Sequence, residues 1–197
     1  SHLISNFTGT NYVYTSQQPY DYYDFAQTNV VLSSITTEAQ YTVGAGSVPV
    51  PNLLQANQVS GHTQILYKAS ELTAAGLTSG NINGFILKVA NAGGTVNFLK
   101  VKMQHTSATN TVLSAISPTL TGFTQVYNKN YTFVAGDNRI QFYTPFVWDG
   151  VSNVLIDFSF TNTQPSTPII FNGVNTSGNM LLYSNNNYAT DLGAFGH

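Results

Sequence analysis

The chain of 197 residues contains no cysteine, which excludes disulfides and thiolate metal sites. Charge is almost as scarce. Asp, Glu, Lys and Arg supply 7% of residues, against roughly 25% in typical soluble domains. Six Lys and Arg against eight Asp and Glu leave a formal charge of −2. So few cations cannot form a phosphate-neutralising stripe, and no nucleic-acid partner is expected. No run of 18 apolar residues is present, so no helix spans or inserts into a membrane. The sequence also lacks His-Glu-x-x-His, Gly-x-Ser-x-Gly, a Gly-rich phosphate loop and an Asp-x-Asp-x-Asp loop, which removes the commonest catalytic and cation signatures.

Neutral hydrogen-bonding groups fill the gap. Asn, Ser and Thr together make up about 31% of the chain; Thr suits strand surfaces, and Asn and Ser suit turns. A β-rich module working outside the cell is the class this composition favours. A length of 197 residues is enough for one domain that buries about 70% of its unfolded surface without staples.

The clearest local pattern follows Asp149-Gly150, a pair suited to tight turns because glycine accepts positive φ. Val154, Ile156, Phe158 and Phe160 then alternate with Leu155, Asp157, Ser159 and Thr161, predicting a strand with one dry and one mostly wet face. Similar segments are expected near Asn11–Thr15 and over Val30–Thr36, Tyr41–Val43, Thr63–Lys68, Ile82–Val89, Thr95–His105, Thr111–Ile116, Thr124–Val126, Tyr131–Val134, Asn138–Thr144, Pro168–Asn172 and Met180–Ser184. Val96 and Phe98 share one parity, whereas Leu99, Val101 and Met103 take the other, as a β-bulge would require. Ser70-Glu-Leu-Thr-Ala-Ala-Gly76 reads as a short helical turn, with Ser70 as N-cap and Gly76 as its stop. The fold expected is all-β: an antiparallel, two-sheet, jelly-roll-like sandwich over 30–197. Residues 1–29 form a polar, tyrosine-rich segment. An outer-membrane barrel would need longer apolar sets than these.

Candidate sites are sparse. Trp148, between Val147 and the Asp149-Gly150 turn, reads as a structural plug, with Asp149 and Asn153 bonding the turn's backbone. Sugars stack on aromatic faces and bind through amides and acids. Tyr12, Tyr14, Tyr20, Tyr22 and Tyr23, with Asp21 and Asp24, are therefore the candidate ligand-binding residues. Hard cations take oxygen ligands from loops, which makes Asn185, Asn187 and Asp191 the candidate calcium ligands; no other cofactor is expected. His62 and His105 read as hydrogen-bonded or solvated imidazoles. No catalytic residue is assigned.

Two blocks carry a resemblance. Glu71-Leu72-x-Ala74-Ala75-Gly76-Leu77-x-x-Gly80-x-Ile82 is followed by Phe142-x-x-Pro145-Phe146-x-Trp148-Asp149-Gly150-x-Ser152-Asn153-Val154-Leu155. From about Gln64 to Thr161 the chain resembles a β-sandwich module of large secreted, surface-attached proteins of type IX-secreting bacteria. The resemblance implies export and a multidomain parent, of which this chain is a piece, and it transfers no catalytic residue. The function expected is a non-catalytic extracellular binding, adhesion or spacer module whose partners are glycans or surface proteins. The alternative is an accessory or catalytic domain of a polysaccharide- or glycoprotein-processing enzyme.

Overall fold

The computed structural model describes residues 38–184 apart from 92, 115 and 116, together with the backbone of two N-terminal strands. Those strands, β1 (His2–Phe7) and β2 (Thr10–Tyr14), pair antiparallel in a unit spanning Ser1–Gln40. The second unit, Tyr41–His197, holds all other elements. The expected strand over Val30–Thr36 lies outside the described residues.

The second unit is an all-β sandwich of two sheets. One sheet has the order β3 (Val48–Val50), β10 (Phe171–Gly173), β5 (Gly80–Val89), β8 (Gly136–Trp148). The other has the order β11 (Leu181–Ser184), β4 (Ser60–Tyr67), β9 (Asn153–Thr161), β6 (Thr95–Thr106), β7 (Thr124–Thr132). Every pairing is antiparallel. Between the sheets lie residues that period two assigned to one face, Val154, Ile156, Phe158 and Phe160 from β9 and Val101 and Met103 from β6, joined by Ile140, Phe142, Phe146 and Trp148 from β8. Phe85 meets Phe142 and Phe158 edge-on, with centroids 5.3 and 5.6 Å apart. Each large side chain buried there contributes about 1.5–3 kcal/mol.

The phase change in β6 is a bulge. Val96 pairs with Tyr131 and Leu99 with Lys129, so Asn97 and Phe98 together face Asn130. Phe98 adopts φ +50°, is 64% exposed, and donates its N–H to Asn130 Oδ1 at 2.8 Å. A second irregularity, between Ile82 and Gly84 of β5, places Pro145 where β8 leaves register. A residue without an N–H fits there because no ladder bond is lost.

Helix α1 (Ala69–Ala74) starts two residues earlier than Ser70 would allow as its cap. Lys68 is the N-cap, and its N–H is taken by Glu71 Oε2 at 2.8 Å. Gly76, at φ +98°, ends the helix as its sequence position predicts. Residues Tyr41–Val43 and Thr111–Ser114 are not strands. The two segments expected at 124–126 and 131–134 are one continuous strand, β7, because pairing with β6 carries the chain through Asn128-Lys129-Asn130.

Tyrosines pin the two sheets together where β7 and β8 adjoin. Tyr131 OH donates to Arg139 O at 3.0 Å, and Tyr143 OH donates to Asn128 O at 2.9 Å. The Tyr127 and Tyr143 rings stack 5.5 Å apart at 9°.

The outer face of the five-stranded sheet overturns one expectation. Alternation places Leu155 and Asp157 toward water, yet both are buried. Residues 107–114 and 117–123 cross this face: Leu113 and Phe123 pack on a second apolar cluster of Leu66, Leu155 and Met180. Leu113 N–H donates to Asn179 O at 2.7 Å. Alternation identified the faces correctly, but a covering segment dries the face that alternation alone assigned to solvent.

Candidate functional site

Three neighbouring strands assemble the one buried cluster of ionisable groups seen among the described residues. Register sets Gln64 of β4 and Lys102 of β6 on either side of Asp157 of β9, and His62 opposite Ser159 in the adjacent row. His62 Nε2 lies 2.6 Å from Asp157 Oδ2, and Gln64 Nε2 donates to the same oxygen at 2.8 Å. Lys102 Nζ stands 3.4 Å from Oδ1. His62 and Asp157 are each 1% exposed, and Lys102 is 16% exposed.

Burial pushes the Asp157 carboxyl up. The His62 hydrogen bond and charge, the Gln64 amide and the Lys102 ammonium together outweigh that effect, leaving the group below the usual carboxylate range. A His–Asp pair is the chemical core of a general base, but general-base work also requires a substrate atom within reach. Neither residue lines either of the two concavities that flank the sandwich, and the pair braces three strands. Sequence reading missed this cluster, although Leu155 on the supposedly wet face was a signal that something covers it.

Two concavities flank the sandwich. A cavity of about 190 Å³ lies between 107–123 and the five-stranded sheet, with Leu66, Leu155, Leu182 and Gln64 toward the sheet and Ser117 and Thr119 toward the covering segment. A more open groove of about 410 Å³ is lined by Gln104, His105, Gly122, Thr124, Pro145, Phe146 and Val147. There the exposed His105 ring packs on Phe146 at 4.9 Å between centroids, and Val147 is largely exposed. With its amide turned to suit its neighbours, Gln104 donates to Thr121 O at 2.9 Å and Gly122 O at 3.2 Å.

The turn after β8 is held by its own acid. Asp149 Oδ1 accepts the N–H groups of Val151 and Ser152 at 2.9 and 2.8 Å, and Oδ2 accepts Ser152 Oγ at 2.6 Å. These bonds, the hydroxyl's foremost, lower its pKa to about 2. Gly150 sits at φ +84°. Trp148 is 1% exposed, with Nε1–H donated to Ser152 O at 2.8 Å. Asn153 does not bond the turn as expected. Its Oδ1 accepts Ala69 N–H at 2.8 Å, and its Nδ2 donates to Ser107 O and Asn110 O, fastening the helix and the covering segment to β9.

The other sequence candidates lie elsewhere. Tyr12 and Tyr14 fall on β2, whose side chains are outside the described residues, as are Tyr20, Asp21, Tyr22, Tyr23 and Asp24. Asn185, Asn187 and Asp191 are also outside them. Among the described residues, no group of three or more His, Asp or Glu is placed to hold a metal ion. Comparison with family models, with curated proteins and with solved structures gives no match to this chain.

Proposed function

We propose that this chain is a non-catalytic binding or spacer module of a larger exported surface protein, taking neutral, hydroxyl-rich ligands of the glycan type in the groove bounded by β6, β7 and β8. The observation that carries this reading is the groove's lining: the His105 imidazole and Thr124 hydroxyl stand beside the apolar Pro145 and exposed Val147. Polar groups for hydroxyls next to apolar surface for C–H faces are what a sugar ring needs. The sparsely charged composition and the resemblance to modules of type IX-secreting bacteria support export. Three of the described carboxylates are occupied structurally: Asp149 holds a turn, Asp157 braces three strands, and Glu71 holds a helix start.

A glycan array and a polysaccharide pull-down test the reading, using the wild type with His105→Ala and Val147→Asp. The expected result is binding by the wild type and about tenfold or greater loss in each variant, since an unpaired polar contact or a charge in the groove costs at least about 1.4 kcal/mol. Wild-type protein that retains no glycan, or variants that bind as well as wild type, refutes the groove assignment.

A further inference from the structure

We infer that the cavity beneath 107–123 is a second binding site, built for a small uncharged molecule with a compact apolar body and a hydroxyl group. This inference is independent of the groove. The cavity opens at its rim, where Asn110, Ser114 and Ser117 are exposed, and its roof is tied to the rest of the sandwich at several points. Asn153 Nδ2 fixes the roof's start at Ser107 O and Asn110 O, Leu113 N–H bonds Asn179 O, and Gln64 Nε2 donates to Thr119 O at 2.5 Å.

Gln64 supplies the recognition group. Its side chain lines the cavity and the residue is 0% exposed. Both neighbours of its amide nitrogen, Thr119 O and Asp157 Oδ2, are acceptors, which fixes the amide's orientation. Oε1 is then left with no hydrogen-bond partner among the described residues, and a buried acceptor in that state calls for a donor. The lining carries no formal charge, so a charged ligand would be desolvated without compensation. Leu66, Leu155 and Leu182 supply apolar contact. The volume of about 190 Å³ exceeds the roughly 150 Å³ that admits a six-carbon ring. A cyclic alcohol meets all three requirements.

The test is an NMR titration of the full chain with cyclohexanol, methylcyclohexane and cyclohexylammonium, following the Gln64 side-chain amide and the backbone amides of Thr119 and Leu182. Cyclohexanol is expected to give saturable shifts at these groups. Methylcyclohexane, lacking the donor, should bind about tenfold more weakly or worse, and cyclohexylammonium should give no saturation. Leu182→Phe fills the floor and Ser117→Phe obstructs the roof, and each should lower cyclohexanol affinity about tenfold or more, as loss of apolar burial on that scale requires. Ser117 is exposed, so its variant decides the matter if Leu182→Phe does not fold. No saturation with cyclohexanol, equal responses to all three probes, or undiminished binding in the folded variants overturns the proposal and leaves the space to water.

Discussion

Replacing Asp157 by alanine removes the oxygen shared by His62 Nε2 at 2.6 Å and Gln64 Nε2 at 2.8 Å, and the carboxylate 3.4 Å from Lys102 Nζ. Deleting one member of a buried charged pair costs about 3–5 kcal/mol, because its partner is left without compensating charge. For a chain of this length each kcal/mol moves Tm by about 2–4 °C, so Asp157→Ala should melt roughly 6–20 °C below wild type. Asp157→Asn keeps an oxygen for the Gln64 amide but loses the charge, and should cost about 1.5–3 kcal/mol. Asp137→Asn is the control. Its partner Lys88 is 4.0 Å away and both side chains are more than 60% exposed, so the change should stay within about 0.5 kcal/mol. Urea unfolding followed by the fluorescence of Trp148, the chain's single tryptophan, reads all three variants. The pH dependence has a defined sign. The folded state lowers the Asp157 pKa, so the stabilisation is complete above the unfolded value of about 3.9 and is lost as pH falls through the folded value. The gap between wild type and Asp157→Ala should be full at pH 7 and narrow by about 1.4 kcal/mol per pH unit below about pH 4. An alanine variant within about 0.5 kcal/mol of wild type at pH 7, or a gap constant from pH 7 to pH 3, refutes the bracing role.

Two further predictions concern turns. The Asp149 carboxyl should titrate by NMR near 2; Ser152→Ala removes the bond that lowers it most and should move the midpoint up, and an unmoved midpoint contradicts that cause. Being depressed, this group's contribution to the turn persists down to acid near pH 2 and fades as pH falls through that value. Gly93 and Gly136 both have positive φ, +82° and +91°, but a Cβ on Gly93 would collide with Phe133 O while one on Gly136 meets nothing within 4 Å. Gly136→Ala should therefore cost about 1–2 kcal/mol, and Gly93→Ala should add an overpacking cost of about 1–3 kcal/mol in urea unfolding; equal costs refute the contact argument.

Much of the sandwich was legible because alternation is a local property. Val154 through Phe160 declared their shared face, Gly76 its helix stop, and the parity change around Phe98 its bulge. Where reading failed, the deciding partner was distant in sequence. Asn128-Lys129-Asn130 falls between two expected strands, yet pairing with Leu99 and Lys100 holds it extended. Asp157 reads as an outward acid, yet its surroundings are set by the registers of β4 and β6 and by the segment tied down through Asn153. Periodicity tells which side chains point together and is silent on what lies over them. The cluster of His62, Gln64, Lys102 and Asp157 therefore could not be assembled from any single stretch.

The tyrosine pins have a consequence for self-association. A strand from another copy, adding along the flank where β7 and β8 adjoin, would compete for the carbonyls of Asn128 and Arg139, which the Tyr143 and Tyr131 hydroxyls already occupy. Occupied acceptors and bulky rings make that flank a poor template for intermolecular ladder growth. A surface with so little charge to keep copies apart thus carries, on this side, a guard against polymerisation made of phenols instead of lysines.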